Sequence, residues 1–166
     1  MSNWFRSYGF ADVFDKLLIG AYPLDVEDVG ILASLGVQRI LNLVEDGEYR
    51  NGERPVVEQA LEEAGIEEYR LRLPDYGGLP AEALDEAVAE VGCWITDGKR
   101  CYVHCRAGWQ RSAAVAAGIV AVNAGIEIDE ALEFVQSKKR SADPLPHQRD
   151  DLQRWWDGRK AAGKQA

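Results

Sequence analysis

The hydrophobic residues of the chain follow two alternating periods, one typical of buried strands and the other typical of helices. Four short apolar runs predict strands, the first of them either one strand or a short pair: 13–19, 37–44, 66–73 and 100–104. Between these runs, apolar residues recur every three or four positions, as they do from Leu84 to Ile95. Strands that alternate with helices predict an α/β fold, a single domain with a central, largely parallel sheet flanked by helices.

Capping and terminating residues mark the ends of several predicted helices. Asp25 is placed to cap a helix that ends at Gly36, and Pro55 is placed to open a helix that Gly65 closes. Residues 111–124 are rich in Ala and Val and apolar on nearly every side, so we expect this helix to be buried.

The C-terminal part of the chain predicts two further helices, at 129–139 and 147–159. The small and charged residues at 158–166 are expected to fray. A chain of 166 residues is expected to form one domain, spanning 1–166.

Composition narrows the class of protein. Apolar residues make up 46% of the chain and charged residues 28%, as in an ordinary soluble globular domain. The net charge of −9 argues against nucleic acid or an anionic membrane surface as a partner. Three cysteines without paired spacing favour a reducing compartment, and we see neither a signal-peptide pattern nor a run of about 20 apolar residues. We therefore expect a cytoplasmic protein that is not stably inserted in a membrane. Its oligomeric state stays open.

One segment carries recognisable chemistry. Residues 104–112 read His-Cys-Arg-Ala-Gly-Trp-Gln-Arg-Ser and lie between a predicted strand and a predicted helix. A loop that closes onto a helix N-terminus directs several N–H groups into one space, where the helix dipole adds positive charge. Gly108 permits the tight turn, Arg111 can hold two oxyanions at once, and the positive field favours the thiolate form of Cys105. The loop is therefore expected to bind a phosphate dianion above an attacking sulfur.

Two neighbours of the cysteine have predicted supporting roles. The Ser112 hydroxyl can hydrogen-bond the sulfur when it becomes a leaving group, or cap the helix, and both roles can coexist. His104 points to the opposite face of the strand from Cys105 and is expected to brace the loop. Cys93, in a predicted amphipathic helix, and Cys101, in a predicted core strand, are interpreted as inert thiols.

Cleavage of a phosphate ester also needs a proton for the departing oxygen, and Asp75 is the candidate source. A strand-like segment stops at Pro74, and Asp75 follows in a Gly-rich loop before the next helix begins near Pro80. Asp75 and Cys105 each follow the carboxyl end of a strand, which places both on one rim of the sheet. The alternative role for Asp75 is to satisfy local turn amides. Its nearest competitors as the acid are interpreted as ordinary loop charges: Glu45 and Asp46.

The run from Val103 to Ser112 matches the His-Cys-x5-Arg-Ser/Thr signature and resembles the cysteine-dependent protein tyrosine phosphatases. The short chain, with Asp75 thirty residues before Cys105, resembles their dual-specificity branch. The resemblance covers the expected core, about 10–155, and it includes three further segments: 18–23, 35–43 and 140–148.

This resemblance implies a role for each matching residue. Cys105 would be the nucleophile that forms a phosphocysteine intermediate, and Arg111 the phosphate clamp. Asp75 would be the general acid and later the base for water, and Ser112 would assist release of the thiolate. The variable loop residues would bind substrate: Arg106, Ala107, Gly108, Trp109 and Gln110. The implied substrate is a phosphorylated protein or a small phosphate monoester, with no metal and no cofactor.

The chain departs from the family pattern inside the loop. Gln110 replaces the usual Gly or Ser, Trp109 is bulky, and Arg106 adds a positive charge, so substrate preference stays open. Two alternatives also stay open. A rhodanese-like sulfurtransferase shares the Cys-Arg-Ala-Gly opening, although its loop generally has one residue fewer between cysteine and arginine. A non-catalytic module would bind phosphorylated ligands without turning them over.

Overall fold

Five strands form one sheet: β1 (Phe10–Phe14), β2 (Leu17–Gly20), β3 (Arg39–Asn42), β4 (Glu67–Arg70) and β5 (Cys101–His104). Their order across the sheet is β1-β2-β5-β3-β4, and only the β1–β2 pair is antiparallel. The computed structural model describes residues 1–165. The predicted α/β fold with a largely parallel central sheet is confirmed, and the first apolar run forms a pair of strands.

Seven α-helices surround the sheet: α1 (Asn3–Tyr8), α2 (Val26–Ser34), α3 (Glu53–Ala64), α4 (Ala81–Thr96), α5 (Arg111–Ala124), α6 (Ile128–Lys138) and α7 (Pro146–Gln165). A short 3₁₀ turn, Asp46–Glu48, follows β3. Most of the segment expected to fray, 158–166, is helical in the structure, because α7 continues to Gln165. Ala166 lies outside the described residues.

Alternation along the strands separates two hydrophobic cores, one on each face of the sheet. In β5, Cys101 and Val103 point into the larger core, which α4 to α7 complete. Tyr102 points into the smaller core, which α1 to α3 complete. All four residues of β5 are buried between β2 and β3. The chain that leaves the carboxyl end of β5 is therefore held by neighbouring strands on both sides.

The predicted buried helix is α5, and residues 111–121 of it are all buried. Its small residues allow close packing, as at Gly118, where an added Cβ would lie 3.3 Å from the Trp155 ring. Among residues 1–165, no single helix is long and apolar enough to span a membrane, although α5 and α6, bent by 118°, meet those criteria together.

One predicted helix and one predicted strand have different bounds in the structure. The helix expected to open at Pro55 is α3, which begins at Glu53, and it ends as expected at Gly65 with φ +67°. The strand expected at 66–73 is shorter, because β4 is a partly exposed edge strand that ends at Arg70. Asp25 caps α2 as predicted, since its Oδ1 accepts the N–H of Asp28 at 2.8 Å.

Candidate active site

The loop of residues 105–110, here called the cysteine loop, joins β5 to α5 and turns its carbonyl groups outward. The Arg106 carbonyl accepts the backbone N–H of Tyr22 at 3.2 Å and the indole Nε1–H of Trp4 at 2.9 Å. On the far side of the loop, the N–H of Asp143 donates to the Trp109 carbonyl at 2.7 Å. These bonds fix the loop from outside.

The N–H groups of the same loop are left for an anion. Within residues 1–165, no backbone N–H from 106 to 110 donates to a carbonyl group. The loop ends at the N-terminus of α5, where Gln110 is the N-cap residue and makes no side-chain cap bond. Free N–H groups beside a helix N-terminus form the anion-binding arrangement that the sequence predicts.

Gly108 holds this shape for two separate reasons. Its φ is +73°, a conformation that favours glycine. A Cβ at this position would also overlap the backbone of Gly20, at the end of β2. Gly108 is buried and does not line the adjoining cavity. Any contact of Gly108 with substrate is therefore through its backbone N–H, which has no carbonyl partner within residues 1–165.

Cys105 lies at the bottom of a cavity of about 370 Å³ and is only 3% exposed. Its Sγ is 3.3 Å from the Ser112 Oγ, which fits the predicted hydrogen bond to a departing sulfur. The alternative role for Ser112, as the helix cap, is wrong, because the serine is the second residue of α5.

Arg111 is the best-anchored side chain of the site and is 1% exposed. Its Nη1 donates to Glu48 Oε2 at 2.8 Å, and its Nη2 donates to Glu48 Oε1 at 2.6 Å. Nη1 also donates to the Leu73 carbonyl at 2.9 Å. Burial opposes the charged guanidinium, but the neighbouring Glu48, Cys105 and Asp75 together outweigh it, and the pKa of Arg111 is raised.

One edge of this guanidinium remains available. Among the described residues, the buried Nε of Arg111 has no hydrogen-bond partner. Glu48 occupies the Nη1–Nη2 edge, so the Nε–Nη2 edge is the one that a phosphate can engage with two parallel hydrogen bonds. In the described part of the chain, the Nε atoms of Arg54, Arg70 and Arg100 are also without a hydrogen-bond partner, but of these four arginines only Arg111 lines the cavity that holds Cys105.

The Asp75 side chain reaches the Arg111 guanidinium from the loop between β4 and α4. Its Oδ1 is 3.2 Å from Arg111 Nη2, and its side chain is 33% exposed. Asp75 and Cys105 line one cavity, so the prediction that both occupy one rim of the sheet is confirmed. The carboxyl group thus lies beside the Arg111 guanidinium in the cavity that Cys105 lines.

His104 lies behind the loop and outside the cavity lining. Its Nδ1 is 3.2 Å from the Cys105 carbonyl oxygen, in agreement with the predicted bracing position. Burial lowers the pKa of His104 to about 4, against a smaller opposing influence of the Glu68 carboxylate. The imidazole is therefore neutral near pH 7.

The remaining predicted substrate-binding residues line the cavity: Arg106, Ala107, Trp109 and Gln110. Trp109 is 43% exposed at its mouth. The Arg106 guanidinium lies 5.2 Å from the centre of the Trp4 ring. Among residues 1–165, no carboxylate lies within 4.0 Å of Arg106, although most arginines on this acidic surface are paired.

Sequence patterns missed four side chains of this site: Trp4, Tyr8, Glu48 and Tyr76, which follows Asp75 and also lines the cavity. Trp4 and Tyr8 line the cavity from α1, and the Tyr8 ring lies 5.2 Å from that of Trp109. A helix of six residues is too short to produce a hydrophobic period, and its one signal is the cap Ser2, which accepts the Phe5 N–H. Glu48 carried no sequence signal, because a 3₁₀ turn of three residues has none.

Other reactive side chains lie apart from the cavity. Cys101 is buried, and burial raises the pKa of its thiol to about 12, so its predicted inertness fits. Cys93 is exposed on α4, so burial gives no support to its interpretation as an inert thiol. Asp46, one of the competing acids, pairs with Arg70.

A second cleft, of about 590 Å³, lies between α4 and α7. It is larger than the cavity that holds Cys105, but its lining includes no cysteine or serine. Within residues 1–165, no three His, Cys, Asp or Glu side chains converge as metal ligands would.

Comparison with known families identifies the class of protein that this fold and site define. The family model described as "Dual specificity phosphatase, catalytic domain" matches residues 20–157. The chain belongs to this family. No curated protein sequence matches the chain.

Solved structures of phosphatases share the fold. PTPMT1 superposes with a TM-score of 0.81 at 22% sequence identity, over 95% of this chain and 99% of PTPMT1. Tk-PTP in its active form gives 0.78 at 22% identity, over 89% of this chain and 96% of Tk-PTP. Kinase-associated phosphatase, solved with its catalytic cysteine replaced by serine, gives 0.77 at 21% identity, over 87% of this chain and 88% of its own. At these identities the likeness concerns the fold.

Proposed function

We propose that the protein hydrolyses phosphate monoesters through a phosphocysteine intermediate. The observation that carries the proposal is the meeting of three features in one cavity. These are the Cys105 sulfur, the ring of N–H groups that donate to no carbonyl, and the unpaired Nε–H of the buried Arg111. Together they suit a tetrahedral dianion held over a nucleophile.

In the first step, the Cys105 thiolate attacks phosphorus in line with the ester oxygen. The S–P bond forms as the P–O bond to the leaving group breaks, and Asp75 gives its proton to the departing oxygen. The loop N–H groups and the Nε–Nη2 edge of Arg111 hold the other phosphate oxygens. A phosphate at that edge competes with Asp75 for Arg111.

In the second step, water attacks the phosphocysteine. The Asp75 carboxylate takes a proton from the water, the S–P bond breaks, and inorganic phosphate leaves. The electron pair of the bond returns to Cys105 sulfur, to which Ser112 Oγ, at 3.3 Å, donates a hydrogen bond. A hydrogen bond to the thiolate makes sulfur a better leaving group.

The rim of the cavity bears on the substrate class. Exposed aromatic rings at Trp109 and Tyr76 suit the ring of phosphotyrosine, and a cavity open at the rim also admits phosphoserine or phosphothreonine. Arg106, which has no carboxylate partner, favours a substrate with a second negative charge. A phosphoinositide head group is such a substrate, and PTPMT1 has been crystallised in complex with PI(5)P.

A colorimetric assay with p-nitrophenyl phosphate tests the reaction. We expect turnover by the wild-type chain, none by Cys105→Ser, and wild-type turnover by Cys93→Ser, a matched control at an exposed cysteine outside the cavity. Turnover by Cys105→Ser would refute the mechanism. A wild-type chain that binds vanadate without turnover would support the binding module instead, and thiocyanate formation from thiosulfate and cyanide would support the sulfurtransferase.

The substrate class is tested with a phosphotyrosine peptide, a phosphoserine peptide and a soluble inositol phosphate. If Arg106 binds a second anion, Arg106→Gln lowers kcat/KM for the inositol phosphate about tenfold, near 1.4 kcal/mol, and leaves p-nitrophenyl phosphate within about twofold. An equal fall for both substrates would assign Arg106 to the loop structure instead.

A further inference from the structure

The loop that carries Asp75 is attached to the start of α7 by side-chain hydrogen bonds. His147 Nε2 lies 2.9 Å from the Tyr76 carbonyl oxygen and 3.2 Å from that of Gly77. The Gln148 side chain donates its Nε2–H to the Gly77 carbonyl at 3.1 Å. Since carbonyl oxygens only accept hydrogen bonds, His147 must present a proton on Nε2.

A third side chain of α7 holds the far end of the same loop. Asp151 Oδ2 accepts the N–H of Leu79 at 2.8 Å, two residues before α4 begins. Three side chains within five residues of α7 therefore hold the backbone from 76 to 79. The carboxyl group of Asp75 lies on the opposite, cavity side of this segment.

The segment held by α7 includes an uncommon backbone conformation. Tyr76 has φ +60°, the one residue other than glycine with positive φ in the described part of the chain. Side chains other than glycine rarely adopt this conformation, so it persists only where surrounding contacts impose it. The ring of Tyr76 is 67% exposed and supplies little packing. Two sets of backbone contacts hold this conformation: the turn closed by the N–H of Gly77 on the Pro74 carbonyl at 3.0 Å, and the α7 side chains on the Tyr76 and Gly77 carbonyls.

We infer that His147 is a positioning residue, which holds Asp75 where it can protonate the leaving oxygen. The inference rests on the proposed phosphatase reaction. His147 itself does not line the cavity and acts only through the Tyr76 and Gly77 carbonyls. Gln148 shares the task, but it is fully buried, so its replacement would also disturb packing. His147 is exposed and can be replaced with less effect on the fold.

The test uses aryl phosphates whose leaving groups range from strongly to weakly acidic phenols. Loss of an acid harms poor leaving groups most, because good ones depart without a proton. We expect His147→Ala to lower kcat about tenfold for the poorest leaving group and less than twofold for the best. His147→Gln, whose amide Nε2–H can reach the same carbonyls, should restore much of the loss. Asp150→Ala, at an exposed neighbour on the same turn of α7, is the matched control.

The Asp75→Asn background separates positioning from a general structural effect. There, His147→Ala should produce no further loss, because no acid remains to be positioned. Equal losses for all leaving groups, or the same loss in the Asp75→Asn background, would overturn the inference and leave the phosphatase reaction intact. Absence of turnover by the wild-type chain would instead refute the proposed function, and the inference with it.

Discussion

Glu48 and Arg111 form a buried ion pair with two parallel hydrogen bonds, 2.8 Å and 2.6 Å long, directly behind the reactive cysteine. The pair fixes the plane of the guanidinium and leaves its Nε–Nη2 edge for the phosphate of the proposed reaction. Burial favours the neutral form of Glu48, but the hydrogen bonds and charge of Arg111, a backbone hydrogen bond and the charge of Arg106 together outweigh it, and the pKa of Glu48 is lowered. Glu48 thus keeps its negative charge and holds the Arg111 guanidinium in place.

Glu48→Gln should therefore weaken phosphate binding and slow turnover. We expect the inhibition constant of inorganic phosphate to rise about tenfold, because the guanidinium loses its main anchor. For the same reason, kcat/KM should fall roughly 10–100-fold. Asp46→Asn is the matched control, since Asp46 lies in the same 3₁₀ turn and pairs with Arg70 away from the cavity. Tighter phosphate binding by Glu48→Gln would show that Glu48 competes with phosphate rather than orienting Arg111.

Gly108→Ala should disrupt the cysteine loop more than a positive φ alone explains. The new methyl group would meet both an unfavourable φ of +73° and the backbone of Gly20. Gly125→Ala is the control, because Gly125 has φ +65° but open space around its Cβ position. We expect a loss of about 1 kcal/mol in the free energy of unfolding for Gly125→Ala, and at least about 2 kcal/mol with loss of activity for Gly108→Ala. Equal losses measured by urea denaturation would contradict the close approach to Gly20.

The three cysteines should differ in their reaction with iodoacetamide. Cys105 lines the cavity and should be alkylated in the absence of phosphate and protected in its presence. Cys101, whose pKa burial raises to about 12, should stay unmodified until the protein unfolds. Cys93 is exposed and should react whether or not phosphate is present, which makes it an internal control. Peptide mass mapping measures all three, and a Cys105 that phosphate fails to protect would argue against anion binding in the loop.

The buried His104 predicts a loss of stability in acid. Its pKa falls from 6.5 to about 4 on folding. At a pH between these two values, the unfolded chain therefore binds a proton at His104 that the folded chain does not bind. The stability is complete above pH 6.5 and is lost as the pH falls toward 4, by up to about 3 kcal/mol at roughly 1.4 kcal/mol per pKa unit. Urea denaturation at several pH values measures this loss, and His104→Asn should lose less over the same range. An identical acid loss in the variant would assign the effect to other groups.

The parts of the site that follow regular elements could be predicted from the sequence. Cys105, Arg111 and Ser112 lie at the junction of a buried strand and a buried helix, where apolar periodicity is strong and the loop spacing is distinctive. Asp75 could be placed because parallel strands bring their carboxyl ends to one edge of the sheet. These four side chains meet as expected.

The parts that depend on short or distant segments could not be predicted. Trp4 lies 102 positions from the Arg106 carbonyl that it binds, and no local pattern reports such a contact. Glu48 lies 63 positions from Arg111, in a turn too short for a period. His147 is 71 positions from Tyr76, and a histidine at the start of a helix gives no sign of what it contacts.

The most direct test of the proposed mechanism is to trap the phosphocysteine. Asp75→Asn should still be phosphorylated by p-nitrophenyl phosphate, whose leaving group needs little protonation, but should hydrolyse the intermediate slowly because the base for water is missing. After an acid quench, mass spectrometry should find one phosphoryl group on the peptide that contains Cys105, and none in Cys105→Ser. Turnover without that adduct under single-turnover conditions, or a phosphoryl group on any other residue, would contradict the account.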